Sequence, residues 1–130
     1  MATQSLLWAA AVLAVLAVLT APARAELFGG YKLEVTYGSN AADGKLMTKN
    51  ATSVKPTLKF PDAETGTKYT LIMADPDAPS AAEAESGKFY VHWILKDATG
   101  ADLAGGTDAL AYKGPAPPQG TGVHRYEFYL

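Results

Sequence analysis

Cysteine is absent from the 130 residues, so no disulfide framework holds this chain and its stability has to come from packing. Basic runs are missing as well. Lys and Arg together number 11 against 13 Asp and Glu, for a formal net charge of −2, and the lysines are scattered. That balance does not suit a nucleic-acid binder, and it supplies no polybasic patch for a membrane surface. Beyond residue 25 no apolar pattern of period 3.6 runs for three turns, so an amphipathic helix is not expected to build the core. There is no HxH or HExxH spacing, and no nucleophile-elbow sequence surrounds Ser80. Zinc sites and serine hydrolases of the common kinds therefore have little to stand on.

One long hydrophobic run does occur. Leu6 to Leu19 is unbroken apolar sequence, followed by Thr20-Ala21-Pro22 and the small-x-small triplet Ala23-Arg24-Ala25. The run falls short of the roughly 20 apolar residues a membrane span needs, and it reads as a secretory signal over residues 1–25 with cleavage after Ala25. The first five residues carry no Lys or Arg, which keeps an uncleaved N-terminal anchor as the alternative. Residues 26–130 form one domain, secreted and extracellular by this reading. Asn50-Ala51-Thr52 is an N-glycosylation acceptor in a polar, loop-like stretch, which makes Asn50 the candidate glycosylation site of a glycoprotein.

The rest of the chain reads as strands separated by Gly/Pro turns. Tyr31 to Tyr37 alternates apolar and polar residues, as a half-buried strand does. Gly38 to Gly44 is a turn-rich loop. Pro56 to Phe60 is a short strand entered through proline, hence an edge or a strand start. Tyr69 to Ala74 is nearly continuous apolar sequence and suits a strand covered on both faces. Ala81 to Gly87 reads as a loop or one helical turn. In Phe89 to Leu95, alternation puts Tyr90, His92 and Ile94 on one face and Phe89, Val91, Trp93 and Leu95 on the other. Ala109 to Tyr112 and His124 to Leu130 complete the set. The fold class is mainly β, an antiparallel sandwich-like domain with short helical turns.

Chemistry is concentrated in Asp75-Pro76-Asp77-Ala78-Pro79-Ser80, in the strand of His92, and in the Pro/Gly segment from Gly114 to Tyr126. Proline fixes φ and restricts its predecessor, so such loops hold their neighbours in place. Strand alternation points His124 and Tyr126 the same way. A fold that sets His92 beside them gathers two imidazoles and a phenol near Asp75, donors suited to a phosphate or carboxylate. Backbone N–H groups from Gly120 to Val123 add to such a nest, and Asp75 serves to orient a histidine. Each residue also has a plainer reading. A lone strand histidine is more often a core or rim residue, an Asp in a Pro-flanked loop more often bonds its own backbone, and Asp77 with Arg125 reads as a structural ion pair. Two His and an Asp resemble a metal set, and Ser80 with His and Asp a hydrolytic one; neither has the required spacing.

These three segments, in this order and spacing, resemble the signature of the phosphatidylethanolamine-binding protein family, which includes the Raf kinase inhibitor proteins and plant flowering regulators. The likeness runs from about Tyr31 to Leu130. It implies an anion pocket lined by Asp75, His92, His124 and Tyr126, with Pro79, Ala116, Pro117 and Pro118 at its rim, and a cis peptide at Ala78–Pro79. It implies no catalysis, metal or cofactor. The function expected is binding of small anions or phospholipid head groups, coupled to regulation of a kinase or protease partner; the alternative is inhibition of such a partner through the surface rather than the pocket. The sequence also departs from the family pattern. Val91 stands where histidine is frequent, Ala116 where glycine is common, and family members usually continue through further strands and a C-terminal helix, so the domain is expected to be incomplete at its C-terminus.

Overall fold

The computed structural model describes residues 31–80, 82–83 and 88–130. The leader expected over residues 1–25 and most of the Ala81–Gly87 stretch lie outside them. The described residues form two antiparallel sheets. Strands β1 (Glu34–Tyr37), β2 (Asn40–Ala41) and β3 (Thr57–Lys59) make the smaller one, in the order β2-β1-β3. The larger contains β4 (Lys68–Asp75), β5 (Tyr90–Thr99), β6 (Thr107–Leu110) and β7 (Glu127–Tyr129), in the order β6-β5-β4-β7. The mainly β class is as expected, and β3 occupies the edge that its leading proline suggests.

Leu58 and Phe60 of the smaller sheet's side meet Leu71, Met73, Trp93, Leu95, Ala98 and Leu103 in a single buried cluster. Burying each large apolar side chain contributes about 1.5–3 kcal/mol, and Leu71, Met73 and Trp93 are almost fully sealed. Trp93 satisfies its one polar atom by donating from Nε1 to Asp108 Oδ1 at 2.7 Å, and its ring meets Tyr112 edge-on at 5.6 Å. The Tyr112 hydroxyl reaches the Thr52 carbonyl at 2.7 Å and the Tyr37 hydroxyl at 3.0 Å, which joins the two sheets. Burial, then its bond to Tyr112, pushes the Tyr37 phenol far above its ordinary range.

The structure corrects the reading of five strands. Asn40–Ala41, read as loop, forms the two-residue strand β2; its exposed polar sequence carries no apolar alternation to reveal it. The sixth strand lies at Thr107–Leu110 rather than Ala109–Tyr112, and as a wholly exposed edge it offers no burial pattern. β4 and β5 both extend past their apolar runs, β5 as far as Thr99. The last strand begins at Glu127, not His124, because the Arg125 backbone N–H donates to Asp77 Oδ2 at 2.7 Å instead of to a neighbouring strand.

Two irregularities shape the sheet near the site. Along the β4–β5 ladder Met73 faces Trp93 while Ala74 faces Val91, so His92 is the extra residue of a bulge. Bulges bend a strand and re-aim a side chain. A second slip lies between Tyr69 and Leu71, where Asp97 on β5 takes φ 56°, a conformation short polar side chains tolerate better than most.

Candidate functional site

The pocket is built where β4 ends, β5 bulges and the Gly114–Tyr126 segment folds across them. Asp75 is the last residue of β4 and is buried. Its two carboxylate oxygens do different work. Oδ1 accepts the Asp77 backbone N–H at 2.8 Å, closing the turn, and Oδ2 takes His124 Nδ1 at 2.7 Å. The turn-former reading and the histidine-orienting reading of Asp75 are thus both realised, one oxygen each. Asp77 holds Arg125, receiving its backbone N–H, Nε at 3.0 Å and Nη2 at 2.9 Å. The side-chain bonds from Arg125 lead the causes that keep the Asp77 carboxyl below the usual range. The Ala78–Pro79 bond is cis.

His92 is clasped by Lys113 from both ends. The Lys113 N–H donates to the His92 carbonyl at 2.8 Å, and His92 Nδ1 lies 2.8 Å from the Lys113 carbonyl. A carbonyl only accepts, so the proton of a neutral His92 sits on Nδ1. Nε2 is left with no protein partner among the described residues. The ring is packed edge-on between Tyr90 at 5.0 Å and Tyr126 at 5.1 Å.

His124 is arranged otherwise. Its Nδ1 is held by Asp75 and its Nε2 lies 3.0 Å from the Thr121 hydroxyl, so both ring nitrogens are engaged within the protein. The structure therefore places His124 in the wall but leaves it no free donor. Strand alternation also did not bring it there: His124 and Tyr126 precede the strand, and bonds from Asp75 and Asp77 fix the segment instead. Tyr126 completes the site. Its hydroxyl is buried and, among the described residues, makes no hydrogen bond of normal geometry. Burial, followed by the Asp75 charge, pushes its pKa up to about 12, so the phenol stays protonated and remains a donor.

A cavity of about 480 Å³ opens among Asp75, His92, His124 and Tyr126, with Pro79, Ala116, Pro117 and Pro118 around it. All eight residues expected from the sequence line it, within the volume range usual for small-molecule sites. The sequence reading missed Lys88, Phe89, Tyr90 and Lys113, which line it too. Tyr90 was within reach, since alternation already set it on the face of His92. Lys113 gives no such signal, because its contribution to the clasp is made by its backbone. Ser80 bonds Glu83 at 2.9 Å and is not part of the lining. Asn50 is exposed on a turn, while the Thr52 hydroxyl donates inward to the Thr48 and Lys49 carbonyls. That turn supports the pocket wall. Lys49 Nζ reaches the Pro117 carbonyl at 2.6 Å, and a Cβ on Gly114 would stand 2.7 Å from the Thr52 carbonyl, a separation that only glycine permits.

Residues 30–130 match the family model described as phosphatidylethanolamine-binding protein. Among curated proteins, a 26 kDa secreted antigen of Toxocara canis is 36% identical over 117 residues, covering 88% of this chain and 41% of the antigen. Among solved structures, a phosphatidylethanolamine-binding protein from Plasmodium vivax is similar at TM-score 0.62 and 27% identity, over 75% of this chain and 56% of that one. A carboxypeptidase Y inhibitor, solved in complex with its cognate proteinase, is similar at TM-score 0.63 and 30% identity, over 75% and 57%. The chain thus spans about half the length of the relatives it matches.

Proposed function

The chain belongs to the phosphatidylethanolamine-binding protein family, and on that premise we propose that its pocket binds a small phosphate- or carboxylate-bearing group, such as a phospholipid head group, without catalysing a reaction. The buried Tyr126 hydroxyl, which makes no hydrogen bond of normal geometry among the described residues, carries this reading together with the open edge of His92. A desolvated hydroxyl with no partner costs about 1–3 kcal/mol, and an anion oxygen within reach removes that cost. The Nε2 edge of His92, without a protein partner among the described residues, is the second point at which a ligand can hydrogen-bond. His124 shapes the wall, with Asp75 and Thr121 fixing its ring.

Titration with phosphoethanolamine, followed by NMR of the imidazole resonances, tests the proposal. His92 is expected to shift strongly and His124 weakly. No shift at millimolar ligand rejects the pocket. We further propose that the protein is secreted, supported by the residue 1–25 pattern and by the secreted-antigen relative. Intact mass of protein from a eukaryotic host should show a mature chain beginning at Glu26, with a glycosidase-sensitive increment at Asn50.

A second reading has the resemblance to the carboxypeptidase Y inhibitor in its favour: inhibition of a protease through the surface. It differs from the first at one point, since it leaves inhibition intact when His92 is replaced by alanine.

A further inference from the structure

Asn50 is the sole asparagine of the chain in an acceptor tripeptide, and the fold treats the two ends of that tripeptide in opposite ways. Asn50 itself is exposed. Thr52 is only 4% exposed. Its hydroxyl proton is shared between the Thr48 carbonyl at 3.2 Å and the Lys49 carbonyl at 3.3 Å. Ser53 Oγ donates back to the Asn50 carbonyl at 2.8 Å, so residues 48–53 close into one turn. An acceptor asparagine is recognised through the hydroxyl two residues on, and a hydroxyl both buried and bonded offers nothing to recognise.

The bonds that the Thr52 hydroxyl makes within the turn are long, near the outer limit of useful geometry, and what locks the turn comes from far along the chain. The Tyr112 hydroxyl donates to the Thr52 carbonyl across 60 residues of sequence. Gly114 backs onto the same carbonyl so closely that a Cβ would stand 2.7 Å from it, and Lys49 Nζ is tied to Pro117. All three ties need residues made long after Thr52. At the usual pace of synthesis, a lag of 60 residues leaves the turn uncovered for about 3–12 s.

We propose that Asn50 accepts its oligosaccharide only before Tyr112 and Gly114 close over Thr52, and that the folded domain is no longer an acceptor. The inference rests on the secreted, glycosylated reading and adds its timing: occupancy is set by a race between transfer and closure. In the transfer Asn50 Nδ2 bonds to C1 of a lipid diphosphate-linked oligosaccharide. The sugar–phosphate C–O bond breaks, and the lipid diphosphate leaves together with one amide proton. The sugar then stands on an exposed residue, and Thr52 remains free to turn inward beneath Tyr112.

Translation of the full chain into microsomes supplies the open form. The unglycosylated, folded chain, given to the solubilised transferase and its lipid-linked donor, supplies the closed one, and a peptide of residues 46–56 calibrates the enzyme. The microsomal product should carry a glycosidase-sensitive increment that Asn50→Gln removes. The folded chain should react roughly tenfold more slowly than the peptide or worse, because only locally opened molecules present Thr52. Tyr112→Phe deletes the bond to Thr52 and keeps a ring against Trp93, while Gly114→Ala pushes the carbonyl away; each should raise the folded rate severalfold. Near-UV circular dichroism verifies that the core is intact, and Tyr112→Phe decides the matter if Gly114→Ala does not fold. A folded chain modified as fast as the peptide overturns the proposal, and so does a Tyr112→Phe protein as slow as its parent. Failure of the glycosylation reading looks different, because then neither the microsomal chain nor the peptide accepts sugar.

Discussion

His92 and His124 line one pocket with Tyr126, and they are held by different means. His92 rides on β5, whose ladder to β4 fixes its backbone, and the bulge turns its ring toward the pocket. His124 belongs to a segment without ladder bonds, pinned by the carboxylates of Asp75 and Asp77. One wall of the pocket is thus made by sheet hydrogen bonds and the other by side chains. The ladder wall leaves a ring nitrogen free for chemistry. The side-chain wall spends its polar atoms on holding itself together, so its histidine is structural in effect although it looks functional in sequence.

The contrast breaks most severely at Asp75. Asp75→Ala removes the acceptor of both the Asp77 N–H and His124 Nδ1, and leaves those donors buried. Loss of about 3 kcal/mol is expected in urea denaturation, with the 114–126 segment exchanging its amide hydrogens faster while β5 stays protected. A uniform loss of protection across both walls would contradict the division.

Acid distinguishes the walls next. The Asp77 carboxyl has its pKa lowered in the folded protein, by the Arg125 side-chain bonds first. A carboxyl depressed on folding adds stability above its unfolded value, and that contribution fades as pH falls through the folded value. The 114–126 segment should therefore loosen below about pH 4, before the β4–β5 ladder does, and Asp77→Asn should remove this acid step. Amide exchange between pH 5 and pH 2 resolves the order.

Tyr126→Phe gives the smallest change in stability and the most informative one. The hydroxyl makes no hydrogen bond of normal geometry among the described residues, so stability should hold or rise by up to about 1 kcal/mol, while phosphate affinity should fall about tenfold or more. A clear destabilisation would mean that the hydroxyl is satisfied inside the protein and is not reserved for a ligand.

What could be read in the sequence follows the same division. β4 and β5 were legible because Tyr69 to Ala74 and Phe89 to Leu95 carry dense apolar sequence into a buried cluster. β2 and β6 were not, since exposed strands such as Asn40–Ala41 and Thr107–Leu110 have no face to bury. The pocket residues were legible through their spacing. Their division of labour was not, because it depends on which nitrogen meets which oxygen: Thr121 beside His124, and the Lys113 carbonyl beside His92. The bulge at His92 leaves no trace in residue types either, being a property of the register with Met73 and Ala74.

Trp93 adds a consequence of a different kind. Its indole is sealed in the core, tied to Asp108, and set against Tyr112, the residue just before the Lys113 clasp on His92. Strain placed on His92 therefore reaches an intrinsic fluorophore through one covalent neighbour on each side. Trp93 emission is therefore expected to change when phosphate fills the pocket, and an unlabelled fluorescence titration checks it.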